Sequence, residues 1–330
     1  MPENFSDFDY IGYLQRWQVY AVLKKPRVIV LNRAKYSWRT PLLQLREFVI
    51  KQAKAFPTSE GSLIVGMLIG QRQHIPQEVA DAFKTTGLTH IVAVSGFNMS
   101  IIATSCGALV WYIGRRSTNI LTIVIVFGFV VITGASAAVV RAAIMATIMV
   151  AAQLLGRQYA SLYSLLLVAS IMVFLNPRIV IWDVGFQLSV AATYGVLIAF
   201  RVKKPDAPNT FVSDLLRPTM GAIVMTSPII AYHFETFSVI APLANALVLP
   251  FVSWIMLFGA LALLPVIGSV FAMPAQFLTS TVLYITQRLA TVPYASIDIH
   301  FPVWILIAYY VTVFIYIYSI LQKRVNSGKI

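Results

Sequence analysis

From residue 90 onward the chain is a succession of apolar runs separated by short polar breaks. Each run is near the roughly 20 residues that a helix needs to cross a bilayer. Crossings are expected over 90–112, 119–134, 137–155, 160–175, 181–200, 217–234, 240–264, 268–290 and 303–322. The run 119–134 is short. Pro242 and Pro250 make 240–264 a candidate for a broken or re-entrant element. Before residue 90 the pattern changes. Residues 41–56 set Leu42, Leu45, Phe48, Val49 and Phe56 against Arg46, Lys51 and Lys54, the pattern of an amphipathic helix lying in the interface plane. The apolar stretch 63–69 is too short to span and predicts an interfacial or dipping helix. Residues 19–22 and 28–31 predict two short strands around the turn-like Lys24-Lys25-Pro26-Arg27.

Composition turns this pattern into a class. The 330 residues are 58% hydrophobic and only 11% charged, less than half the roughly 25% charge of soluble domains. The fold expected is an all-α integral membrane protein, a polytopic helical bundle of about nine crossings, with 41–89 as amphipathic or interfacial helices. The one cysteine, Cys106, excludes an internal disulfide and a thiolate metal site. Residues 1–10 are acidic and polar, not basic and then apolar, so no secretory signal is read there and the first crossing is expected to direct insertion.

Charge gives an orientation. Alternate breaks carry Arg115 and Arg116, then Arg157, then Arg201, Lys203 and Lys204, then Lys323, Arg324 and Lys329; the other breaks carry mainly Arg178, Glu235, Asp298 and His300. The positive-inside rule places the first set, and the C-terminus, in the cytoplasm and residues before 90 outside. That outer segment holds twelve positive residues against seven negative ones. A basic surface beside a membrane pathway suits a polyanion or anionic lipid headgroups.

Candidate chemistry sits in the apolar runs. Asp183 and Gln187 lie in Trp182-Asp183-Val184-Gly185-Phe186-Gln187-Leu188-Ser189. A charge in hydrocarbon costs at least about 2.5–3.5 kcal/mol and marks a protein-lined or watery interior. At about 100° per residue, Asp183, Gln187 and Tyr194 form one polar stripe. In 87–98, Ser95 and Asn98 share a face with Ser105, whereas His90 and Ser95 point apart, so Ser95 lacks a local base. Ser95 and Gly96 suit either close helix packing or a pathway. Arg141 lies among small residues in Ser136-Ala137-Ala138-Val139-Val140-Arg141-Ala142-Ala143. It is a candidate to snorkel, to pair with Asp183 or to contact phosphate. Four scattered histidines and the absence of nucleotide-loop and zinc-hydrolase motifs predict no metal, no cofactor and no catalysis.

Four segments together carry a resemblance: GLTHIVAVSGFNMSIIA (87–103), VVRAAIMATIMVAAQLLGR (139–157), NPRIVIWDVGFQLSVAATYGVL (176–197) and APLANALVLP (241–250). In this order they resemble the membrane channel domain of the ComEC competence family, over most of 60–322. Residues 8–31 look like the end of that family's OB-like domain, which divides the chain into an OB-like remnant (1–40), interfacial helices (41–89) and a channel domain (90–330). Ser95, Gly96, Asp183, Phe186, Gln187, Asn245 and Pro250 match the family pattern. Asn98 stands where the family usually has histidine, so a proton- or metal-dependent role there is not expected. The family's nuclease domain has no counterpart in the sequence, which reads as a reduced or split form.

The resemblance implies a cytoplasmic-membrane channel that imports single-stranded DNA during natural transformation. Its expected partners are the bilayer, an external DNA receptor, a separate nuclease and a cytoplasmic ATP-driven motor or single-strand-binding proteins. Ser95, Asn98, Arg141, Asp183, Gln187 and Tyr194 are expected to line or brace the pathway. Arg16, Trp17, Lys24, Lys25, Arg27 and Arg39 supply the mixture of cations and aromatics that single strands need; a lipid-facing basic surface has the same composition. Two rivals stand beside this reading. One is a secondary transporter for a small anionic metabolite, with Arg141 and Asp183 in an occluded site; the other is an intramembrane hydrolase using Ser95.

Overall fold

The computed structural model describes residues 40–201, 211–299 and 302–326, together with Val19 and Ala21. The two strands predicted at 19–22 and 28–31 lie outside these residues except for Val19 and Ala21. Three helices open the described chain: α1 (Thr40–Ala53), α2 (Thr58–Ile69) and α3 (Gln77–Thr85). A short α4 (Thr89–Val92) leads to α5 (Gly96–Gly107) and α6 (Val110–Ile113). Then come α7 (Arg115–Ile132), α8 (Ala137–Leu154), α9 (Ser161–Leu175), α10 (Ile179–Trp182), α11 (Val184–Arg201) and α12 (Phe211–Phe234). Strand β1 (Thr236–Ser238) precedes α13 (Ala241–Ala262) and α14 (Gly268–Ala290). Strand β2 (Ser296–Asp298) and α15 (Val303–Asn326) complete the fold.

The protein is an all-α polytopic membrane protein. Among the described residues seven helical spans are long and apolar enough to cross: 96–113, 115–132, 137–154, 184–201, 241–262, 268–290 and 303–320. Nine crossings were expected. The helix α9 has 15 residues, about 22 Å of rise against a core of about 30 Å. The helix α12 is longer but carries Asp214, Arg217 and two prolines.

Three expectations about the spans need correction. The first run, expected as one crossing over 90–112, is interrupted at 93–95, where Ser95 is extended (φ −126°, ψ 174°), and bends again at 108–109. The run 181–200 breaks at Asp183. Conversely, 240–264 is neither broken nor re-entrant. Pro242 sits in the first turn of α13, where its missing N–H costs nothing, and Pro250 is carried inside a continuous helix.

Pro228 inside α12 shows how such a residue is tolerated. It removes the N–H that would serve the carbonyl of Val224, and the Tyr309 hydroxyl of α15 donates to that oxygen at 2.9 Å. The Tyr310 hydroxyl donates to the next carbonyl, of Met225, at 2.7 Å. A helix break is thereby converted into a bond between helices.

Packing falls into two regions. In one, α2 packs against α1, α4, α13 and α14 and shares its core with Val79 and Phe83 of α3, with Leu63, Ile64 and Met67 fully buried. The sequence suggests an interfacial or dipping helix here, but protein encloses its apolar core. Gly70 ends α2 at φ 75°, the left-handed conformation of a helix terminus. In the other region α5, α7 and α8 share a core around Met99, Val126 and Val139. From there α8 packs on α9 and α11, and α11 lies along α12. In that last seam Gly195 and Gly221 face each other. A Cβ built on Gly195 would lie 2.1 Å from the Gly221 carbonyl oxygen. Lipid tails are as apolar as leucine, so such close backbone packing, not escape from water, drives helix association in a membrane.

Short connections between neighbouring helices return the chain repeatedly to the same two ends. One end collects 93–95, 133–136 and 176–183, with the β1–β2 pair (Thr236↔Asp298, Phe237↔Ile297, Ser238↔Ser296). At the opposite end lie Arg115, Arg116, Arg157 and Arg201.

Candidate functional site

Arg141 occupies the second turn of α8 and is 3% exposed. Small neighbours on α8 let its side chain lie between helices. Its Nη1 donates to Thr193 Oγ1 and its Nη2 to Ser189 Oγ, each at 2.5 Å, both on α11. Its Nη2 also lies 3.2 Å from where a Cβ on Gly96 would stand, so the α5 N-terminus passes directly over the guanidinium. Its Nε has no hydrogen-bond partner among the described residues. A buried cation is thus held by hydroxyl oxygens beside a helix N-terminus, and its pairing with Asp183, one of the alternatives raised by the sequence, is absent. Both features of the place, the guanidinium and the helix-end N–H groups, favour an anion.

Asp183 has a different task. It lies between α10 and α11, and its Oδ1 accepts the Phe186 N–H at 2.9 Å. This is the N-cap bond, in which a carboxylate satisfies one of the orphan donors of a helix start and complements its positive end. Asp183 is therefore not one rung of a continuous polar stripe, because the helix begins after it. Gln187, one turn inside α11, donates through Nε2 to the carbonyls of Val180 (2.7 Å) and Ile181 (3.1 Å). Its Oε1 is 2.9 Å from His233 Nε2 on α12. The side chain ties the broken helix α10 to α11 and α12 together. Tyr194 packs against Phe314 of α15, with ring centroids 5.7 Å apart and planes tilted by 53°.

On the α5 side, Asn98 is fully buried, and its Nδ2 donates to the Met67 carbonyl at 3.0 Å. The Ser95 hydroxyl donates to Asn98 Oδ1 at 3.4 Å. The bond from Asn98 fixes α5 to α2, while Ser105, expected on the same face, is exposed. Asn245 is buried and turns its amide back to the Ala241 carbonyl of its own helix at 2.9 Å. Sequence reasoning missed Ser189, Thr193 and His233. The first two were legible as hydroxyls at i and i+4, on one helical face; His233 carried no local signal. No group of three metal-ligating side chains occurs among the described residues. Arg16, Trp17, Lys24, Lys25, Arg27 and Arg39 lie outside them.

The pieces converging on Arg141 come from 87–103, 139–157 and 176–197, and the competence protein family matches the chain over residues 67–324. The chain belongs to the competence protein family. A relative in Bacillus subtilis (strain 168), described as ComE operon protein 3, is 26% identical over 329 residues, 96% of this chain and 42% of its own length. An uncharacterized protein of Aquifex aeolicus (strain VF5) is 28% identical over 253 residues, 73% of this chain and 58% of its own. This competence family member therefore spans about half the length of the relatives it matches. No solved structure matches it.

Proposed function

We propose that this protein forms a channel in the cytoplasmic membrane through which single-stranded DNA enters during natural transformation, and that it performs no catalysis itself. The observation that carries the reading is Arg141, a buried guanidinium with no carboxylate partner among the described residues, placed where three motifs of the competence family meet. A pathway for phosphates needs fixed positive charge that is already desolvated and that is not cancelled by a neighbour. In this reading Arg141 meets the phosphate backbone, Ser189 and Thr193 hold it, and Ser95, Asn98, Asp183, Gln187 and Tyr194 line or brace the same pathway. The basic residues before residue 40 collect the strand outside. An external DNA receptor, a nuclease on a separate chain and a cytoplasmic motor or single-strand-binding proteins act before and after it. The motif end faces outward and the arginine-rich end inward, as the positive-inside rule requires.

The interruptions at 93–95 and at Asp183 favour a second reading, a transporter for a small anion, because discontinuous helices whose N-termini meet a charged site are a transporter device. Oligonucleotide binding to the detergent-solubilised protein separates the two. A channel for DNA binds single strands with a slope near −0.7 per phosphate contact in a plot of log affinity against log salt; the transporter binds none. In cells, Arg141→Gln at normal abundance should abolish uptake while external DNA binding continues. Normal uptake by that variant would remove Arg141 from the pathway.

A further inference from the structure

At the arginine-rich end, a cavity of about 440 Å³ opens where α5–α6, α7 and α8 meet. Its apolar wall includes Gly107 and Met149, and nothing lies within 4 Å of where a Gly107 Cβ would stand. Arg115 and Gln153 also line it, and both line an adjoining recess together with Arg116. Asn119 is one turn further into α7 than Arg115 and is 6% exposed. Its Nδ2 has no hydrogen-bond partner among the described residues. A buried amide donor left unsatisfied costs about 1–3 kcal/mol, so this wall calls for an acceptor oxygen. Arg115 and Arg116 open α7, where backbone N–H groups are unpaired and the helix end is positive. Trp111 and Tyr112, just before them, are 93% and 86% exposed, as side chains at headgroup level are.

Arg115 and Gln153 mark one end of the site, and Ala103, Gly107, Met149 and Val150 give it an apolar wall. Thr118, Asn119 and Thr122 face that wall from α7, the two threonine hydroxyls being bonded to carbonyls of their own turn. The volume is within the roughly 300–1,000 Å³ of small-molecule sites. We propose that this cavity holds an anionic phospholipid. Its phosphate meets Arg115, Arg116 and the start of α7, an ester carbonyl oxygen accepts from Asn119 Nδ2, and one acyl chain runs along Gly107 and Met149. A nucleic acid strand would need aromatic faces on which bases stack, and none lines the cavity. A free phosphate would leave the apolar wall uncovered. The site lies at the opposite end of the bundle from Arg141, and its occupancy does not depend on the DNA reading.

The test is native mass spectrometry of the full chain in mild detergent, titrated with phosphatidylglycerol and, separately, phosphatidylcholine. Phosphatidylglycerol should be retained over phosphatidylcholine. Asn119→Leu should weaken retention about tenfold, the loss of one buried hydrogen bond, and Arg115→Gln with Arg116→Gln about a hundredfold, the loss of two charge-assisted ones. Gly107→Leu should exclude the lipid by filling its wall. Thermal melting of each variant separates loss of the site from loss of the fold, and the arginine and asparagine variants decide the matter if Gly107→Leu does not fold. Equal retention of the two lipids, or wild-type retention by Asn119→Leu, overturns the proposal. So does displacement of the lipid by a single-stranded oligonucleotide or by inorganic phosphate.

Discussion

Replacing Gly195 by alanine adds one methyl group and asks whether the α11–α12 seam is as tight as its geometry implies. That methyl would lie 2.1 Å from the Gly221 carbonyl oxygen, 2.7 Å from its carbon and 2.8 Å from Met225 Cγ. Relaxed carbon–oxygen contacts are near 3.3–3.6 Å, so the two backbones must part by about 1 Å. A gap of that size forfeits a quarter to a half of the attraction at every contact along the seam. Overpacking of this kind costs about 1–3 kcal/mol, and the upper end applies where backbone, not a flexible side chain, must move. The same movement would stretch the 2.9 Å Gln187–His233 bond beyond hydrogen-bonding distance. Melting in detergent should show Gly195→Ala clearly less stable; under the proposed function, uptake measured in parallel should fall with it. Gly221→Ala should match it, since its methyl would meet the Gly195 carbonyl oxygen at 2.4 Å. The double variant should cost less than the sum, because one parting accommodates both methyls. Gly128→Ala, with nothing within 4 Å of its added methyl, is the control and should be neutral or stabilising by up to about 1 kcal/mol. A Gly195→Ala protein that melts like the parent would refute the reasoning.

Asp183→Asn keeps the N-cap, since asparagine caps about as well as aspartate, whereas Asp183→Ala loses about 1 kcal/mol of stability; if Asp183 serves the DNA pathway, uptake falls in both variants while only the alanine variant melts earlier. Gln187→Leu strips a partner from two exposed carbonyls and from the half-buried His233, and should destabilise by about 1 kcal/mol, the net worth of a typical hydrogen bond, measured by melting. Asn98→Leu should likewise loosen α5 from α2, read as faster hydrogen exchange in 58–69 with little change in α15. Tyr309→Phe uncovers the Val224 carbonyl that Pro228 leaves open and should cost about 1 kcal/mol; Pro228→Ala in the same chain should recover most of it.

Much of the bundle was legible because hydropathy reports helices that face lipid. The extents of α8 and α14 follow from the apolar runs 137–155 and 268–290. The break at Asp183 was not read, although the signal was there, because an average over a window sees one continuous run while an N-cap is a single residue. For α2 the difficulty was different: an apolar stretch of that length is consistent with an interface, a dip or a core. Only the later helices that enclose it decide. Small neighbours marked Arg141 as facing protein, but its partners are 48 and 52 residues away, and although Ser189 and Thr193 share a helical face, nothing local ties that face to the arginine. The stripe drawn through Asp183, Gln187 and Tyr194 assumed an unbroken helix, and it dissolved with that assumption.

The enclosure of α2 also has a consequence in time. Its 12 residues rise about 18 Å, too little to lodge across a bilayer alone, and they leave the ribosome long before their cover exists. Ile64 waits for Gly259, and the carboxylate of Glu60 waits for the Ser280 hydroxyl, 220 residues downstream. At about 5–20 residues per second, that interval is roughly 11–44 s. Throughout it Leu63, Ile64 and Met67 have only their earlier neighbours, such as Phe83 and Val92, and lack the cover that α13 and α14 bring, and the membrane surface or an insertion factor must shield what is left open. Biogenesis therefore closes from later helices back onto an earlier one, and a ribosome that stalls before α14 leaves that apolar segment with part of its cover missing, a ready mark for proteolytic quality control.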